Sequence, residues 1–192
     1  MKGEKLKGER VDGPTDLAPI GPAVSIGLRS ALFALSFSLL AIHISSLQAQ
    51  SAPPKKVTES LARIFGQSTQ VDTLKVDSSS VLRISSNGSL QGFATVRNVK
   101  GKDQQITFLV AIDSGNALKD IDVLVYREPY GGEVAYESWR KQFRGKSSAD
   151  ALTVGKDIKN ISGATISSHS VTLGVRKALA DLTAWHQAGR IK

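Results

Sequence analysis

Apolar residues recur along this chain at more than one spacing, and each spacing predicts a different element. In "KKVTESLARIFGQ", Val57, Leu61, Ile64 and Phe65 fall on one face of a helix, with Gly66 placed to end it. The stretch that follows is strand-like: "SSVLRIS", "LQGFATVRNV", "QQITFLVAID" and "ALKDIDVLVYRE" are divided by turn signals at Asn87-Gly88, Gly101-Lys102 and Ser114-Gly115-Asn116. Strands so spaced predict an antiparallel meander. In "GGEVAYESWRKQFRGK", the spacing of Val134, Trp139 and Phe143 turns roughly helical again. From near Ser167, the recurrence of Val171, Val175, Leu179, Leu182 and Trp185 predicts an amphipathic helix of about five turns. The expected fold class is α+β, an antiparallel sheet covered by helices, with no internal repeat.

A different pattern marks the N-terminal part. "SALFALSFSLLAIHISSLQAQ", Ser30 to Gln50, has no Lys, Arg, Asp or Glu, and its apolar heart runs from Ala31 to Ile44 directly after Arg29. That heart is shorter than the ~18–20 residues of a spanning helix, which favours a signal peptide with Ala49 as cleavage point. The long stretch before it, and Met1 as the only methionine, favour an uncleaved membrane anchor. Both readings export the body, to the periplasm or the outer face of the inner membrane. Residues 1–54 are therefore expected to be a leader and 55–192 a single domain.

Composition narrows the chemistry. A hydrophobic content of 41% supports a packed core, and with no cysteine the fold uses neither disulfides nor thiolate metal sites. The net charge is +8, and its excess lies mostly in residues 127–192, which carry eleven basic and six acidic side chains. No dense Lys/Arg run or aromatic interleaving accompanies it, so the bias fits an anionic cofactor or an acidic partner and excludes a nucleic-acid reading. His43, His169 and His186 are scattered and form no metal-ligating cluster. "FRGKSS" lacks the first glycine of a phosphate-binding loop, whose place is taken by Arg140, and there is no G-x-S-x-G elbow.

The stretch "ISGATISSHS" remains, a hydroxyl among small residues at the mouth of the last helix. One reading makes Ser167 or Ser168 a helix cap. The other makes Thr165 a point of attachment: Gly163 and Ala164 leave its hydroxyl open to a second protein, Thr is stiff about its first side-chain torsion, and a helix N-terminus stabilises a phosphodiester.

Ser162-Gly163-Ala164-Thr165-Ile166-Ser167-Ser168 resembles the flavinylation motif of the FMN-binding domain family, which includes flavin-carrying subunits of the Rnf complex and of the sodium-pumping NADH:quinone oxidoreductase. The similarity extends over "YREPYGGEV", "FRGK" and "DIKNISGATISS", within a motif-bearing part of about residues 90–185. The resemblance implies that a flavin transferase esterifies Thr165 with the phosphate of FMN. It also implies that Ser162, Gly163, Ala164, Ser167 and Ser168 surround the attachment point. The family's acidic residue and glycine turn, E-T-x-G-x-G, fall here on Glu128, Gly131 and Gly132, with Pro129-Tyr130 where Thr-Pro is usual.

Lys156, Lys159 and His169 are expected at the surface. Trp139, Phe143 and Trp185 are expected in the core, with stacking of one of them on the flavin as the alternative. The function implied is an exported electron carrier working between membrane or periplasmic redox partners. The alternatives are a flavin-dependent reductase of a small substrate, and a non-covalent FMN-binding sensor or docking module. A carrier is favoured over a stand-alone enzyme because the chain has no dinucleotide fingerprint.

Overall fold

The computed structural model describes residues 53–192. Apart from Pro53 and Pro54, the expected leader lies outside the described residues. Helix α1 (Lys55–Phe65) comes first and ends at Gly66, as the apolar spacing requires. Five strands follow: β1 (Gln70–Val76), β2 (Ser79–Ser86), β3 (Ser89–Lys100), β4 (Gln105–Asp113) and β5 (Leu118–Val125). They pair antiparallel in the order β1-β2-β3-β4-β5, the expected meander with one strand more. At the β2–β3 hairpin, Asn87 (φ 50°) and Gly88 (φ 76°) both adopt left-handed backbone, the demand that an Asn-Gly turn meets.

Alternation along β4 explains the layering. Phe108, Val110 and Ile112 point to one face, and Leu109 and Ala111 to the other, all fully buried. The first set packs with Val171, Val175, Ala178, Leu179 and Leu182 of the last helix, α3 (Thr165–Gln187). The second packs with Val57 and Leu61 of α1. The sheet is thus covered on both faces, and each fully buried aliphatic or aromatic side chain contributes roughly 1.5–3 kcal/mol. Gly174 permits close approach of α3: a Cβ there would stand 2.6 Å from both Phe108 Cζ and Val99 Cγ1.

Two expectations need correction. Residues 132–146 do not form one helix. They break into a 3-10 turn (Gly132–Ala135), a short helix α2 (Glu137–Arg140) and a second 3-10 turn (Lys141–Phe143). The helical spacing is real but serves burial: Val134, Trp139 and Phe143 all enter the core, and Trp139 and Phe143 meet edge to face at 5.1 Å. The last helix begins at Thr165, not near Ser167, and runs for 23 residues. Neither serine caps it; Ala164 occupies the N-cap. Ser168 is fully buried and its hydroxyl donates to the Ala164 carbonyl at 3.0 Å. The serines are used inside the first turn.

Beneath the α1 side of β5 lies a charge cluster. Asp120 accepts from Arg63 Nη1 at 3.0 Å and Arg144 Nη2 at 2.9 Å, with Arg140 Nη1 at 3.5 Å. Asp122 joins Arg63 at 3.0 Å and accepts from Ser60 Oγ at 2.6 Å. The side chains of Asp120 and Arg140 are only 5% and 8% exposed, so each depends on the other partners for solvation.

Candidate functional site

The SGAT segment reaches the surface as a turn. Gly163 takes φ +80°, and the next residue, Ala164, is buried as the N-cap of α3. Ala164 has no side chain able to cap the helix, so the N–H groups of the first turn are left for an anion. Thr165 is exposed there. Its Oγ1 accepts a hydrogen bond from Asn160 Nδ2 at 3.2 Å, which leaves the hydroxyl proton free to point outward. Ser162 and Gly163 are also exposed, whereas Ser167 and Ser168 are buried.

A cleft of about 350 Å³ opens at this helix end, lined by Gly163 to Ser167 and by Lys102, Glu128, Pro129 and Tyr130. The structure therefore brings together three segments, each some thirty residues from the next in the sequence. A larger hollow of about 430 Å³, between Pro53, Val57, Thr73, Leu82 and Arg97, contains none of the motif residues.

Glu128 plays a defined part. Its Oε1 accepts from the backbone N–H of Asp103 at 2.8 Å and of Gln104 at 2.9 Å, which ties the β3–β4 turn to the cleft. The Gln104 N–H, with further backbone donors and the Lys102 charge, holds its carboxyl below the usual carboxylate range. A Cβ on Gly101 would fall 2.2 Å from Glu128 Oε1, so a side chain at that point would push the carboxylate away from the turn. Lys102 is delivered to the cleft by the same turn.

The two glycines behave differently. Gly131 has φ +88°, and a Cβ on it would meet Tyr126 Oη at 2.7 Å, Ala164 Cβ at 2.9 Å and Ser167 Oγ at 3.1 Å. It lets the turn pack directly on the first turn of α3. Gly132 does not line the cleft, and a Cβ there would make only ordinary contact with the Tyr126 ring at 3.9 Å.

Sequence reasoning missed Tyr126, Asn160 and Lys102. The Tyr126 hydroxyl donates to the Tyr130 carbonyl and lies 2.9 Å from Ser167 Oγ, joining both halves of the site. Burial, with the nearby Glu128 and Glu133 charges, pushes its phenol up despite the Ser167 contact. Lys156, Lys159 and His169 are exposed, as expected. Trp139 and Phe143 are core residues, Trp185 is half-buried, and none of the three lines the cleft. Trp139 Nε1 instead donates to the Lys159 carbonyl at 2.8 Å, anchoring the segment that leads to Asn160 and Thr165.

Residues 101–180 match the family described as the FMN-binding domain. This segment is an FMN-binding domain. It holds the SGAT turn, Glu128, Gly131, Gly132 and Lys102 alike, and FMN is the cofactor to which the family points. Similarity to curated proteins agrees. A component of the proton-translocating ferredoxin:NAD(+) oxidoreductase complex of Clostridium ljungdahlii is 37% identical over 92 residues, covering 44% of this chain and 49% of the relative. Its counterpart in the Na(+)-translocating ferredoxin:NAD(+) oxidoreductase complex of Acetobacterium woodii is 30% identical over 139 residues, 67% of this chain and 64% of the relative. The chain spans about half the length of the first and under two thirds of the second. The FMN-binding domain also suits its cofactor physically: an uncapped helix end and Lys102 favour a phosphate, and the cleft beside them offers apolar walls.

Among the described residues, no helix is long and apolar enough to cross a membrane.

Proposed function

We propose that this chain is an exported flavoprotein whose domain, residues 55–192, holds FMN covalently on Thr165 and relays electrons between membrane or periplasmic redox partners. The observation that carries this reading is an exposed Thr165 hydroxyl at the uncapped N-terminus of α3, inside a cleft. When bound, FMN supplies the redox chemistry. The protein supplies the tether and its surroundings. Attachment forms a bond from Thr165 Oγ1 to phosphorus as the hydroxyl proton leaves. A phosphoanhydride bond of an activated flavin donor breaks in the same exchange, on a separate flavin transferase. The helix dipole and the first-turn N–H groups favour the resulting anion, with Ser162, Gly163 and Ala164 leaving room for the transferase.

The two curated relatives are named as parts of ion-translocating ferredoxin:NAD(+) oxidoreductase complexes, which supports a place in membrane electron transfer. Full-length protein made alongside a flavin transferase should give a flavin-fluorescent band after denaturing electrophoresis, with an intact mass raised by one FMN less one water. A dark band would refute the covalent reading. The purified flavoprotein should oxidise NADH or NADPH slowly alone and rapidly once membranes are added. Rapid turnover alone would favour the reductase instead.

Export rests on the uncharged window after Arg29. Residues 1–60 fused to a reporter active only outside the cytoplasm should give signal, and a silent fusion would reject export.

A further inference from the structure

Aromatic side chains in this domain are mostly hidden: Phe93, Phe108 and Phe143 are fully buried and Trp139 is 6% exposed. Tyr130 is the opposite, at 79% exposed, and Ile166 is 50% exposed. Scattered exposed apolar residues are ordinary at a protein surface. These two, however, line the same cleft as Thr165, one from the turn after Glu128 and one from the first turn of α3. Tyr136, also exposed at 61%, does not line it.

The backbone of Tyr130 is held in place. Its carbonyl accepts from the Tyr126 hydroxyl, which also contacts Ser167 Oγ at 2.9 Å. On its other side Gly131 sits so close to Ala164 and Ser167 that a Cβ would collide. The backbone that carries this exposed phenol ring is therefore fixed at the cleft that Thr165 also lines.

We propose that Tyr130 stacks on the isoalloxazine ring of the attached flavin, with Ile166 as a second apolar wall. This rests on the covalent FMN reading above. Isoalloxazine is a broad, flat, electron-poor ring, and an electron-rich phenol is a favourable stacking partner for it. Because Tyr130 is exposed and Thr165 fixed, the ring needs no opening of the fold to reach it. A stacked phenol also leaves an optical signature. On excitation, one electron passes from the phenol to the flavin and returns, so emission is lost with no net chemistry.

The test uses full-length protein made with a flavin transferase, comparing flavin fluorescence in the native state with that of the same sample after denaturation. Wild-type protein should be strongly quenched when native and bright when unfolded. Tyr130→Ala should raise native fluorescence several-fold, and Tyr130→Phe, which stacks but is a poor electron donor, should also brighten it. Tyr136→Ala should leave the quenching as in wild type. Circular dichroism checks that each variant is folded. Native fluorescence unchanged in both Tyr130 variants, while their denatured bands still carry flavin, overturns the stacking proposal and leaves the attachment reading standing. A wild-type band without flavin overturns both.

Discussion

Thr165→Ala should abolish the flavin mass shift completely while leaving the fold intact. The change removes the only atom at that position able to bond to phosphorus. Structurally it costs little: Thr165 is exposed, begins α3, and is replaced by the best helix former, so stability should move by no more than about 0.5 kcal/mol. Thr165→Ser, which keeps the oxygen but lacks the branching methyl, should recover part of the labelling. Peptide mapping by mass spectrometry checks both variants. Full labelling of the Ala variant would place the flavin on another residue, with Ser162 the first to examine.

Asp120→Ala should produce the largest loss of stability. Arg63 and Arg144 are each 40% exposed and can turn to water, but Arg140 is only 8% exposed and would keep a single carboxylate, Asp122 at 3.6 Å, beside its hydrogen bonds to the Ala135 and Ile121 carbonyls. Stranding a buried cation of this kind costs about 3 kcal/mol or more. For a domain of this size that is a fall in Tm on the order of 10 °C. The same cluster predicts a pH dependence. Burial alone would push the Asp120 carboxyl up, but hydrogen bonds from Arg144 and Arg63 outweigh it and hold the group below its ordinary value. A folded-state pKa that is depressed gives stability fully present above the unfolded value, about 3.9, and lost as pH falls through the folded one. Urea unfolding from pH 7 downward should show this acid loss in the wild type. Asp120→Asn should be less stable at neutral pH and flatter across the acid range. Equal acid sensitivity in both proteins would assign the effect to other carboxylates.

The meander was legible because β2 to β5 are apolar enough to read one at a time and their turns carry Asn-Gly or Ser-Gly-Asn signals. The edge strand β1 was not: its burial is shallow, with only Val76 fully inside, so "QVDTLKV" offers little hydrophobic contrast. Residues 132–146 misled through burial without regularity, since large apolar residues anchor short turns as well as they anchor a helix. The start of α3 was displaced because capping rules look for a side-chain oxygen, and this helix begins after an alanine. At the site, the SGAT turn and Glu128 were readable as local motifs. Tyr126 was not, because its contact with Ser167 spans 41 positions, and no spacing rule reaches that far. Lys102 was hidden for a related reason: its place at the cleft depends on the β3–β4 turn being tied to Glu128, 24 to 25 positions further along the chain.

Thr165 belongs to the helix and not to the loop before it, and within three turns α3 is locked into the core at Val171 and Val175. A group bonded at this position is mounted on a fixed post about 34 Å long, the length of a 23-residue helix. A swinging arm, as a tether on a hinged loop would be, could visit donor and acceptor in turn. A post cannot. Exchange would then be governed by how partners dock at this end of the domain or by movement of the whole domain, and local loosening of the loop would do little to quicken it.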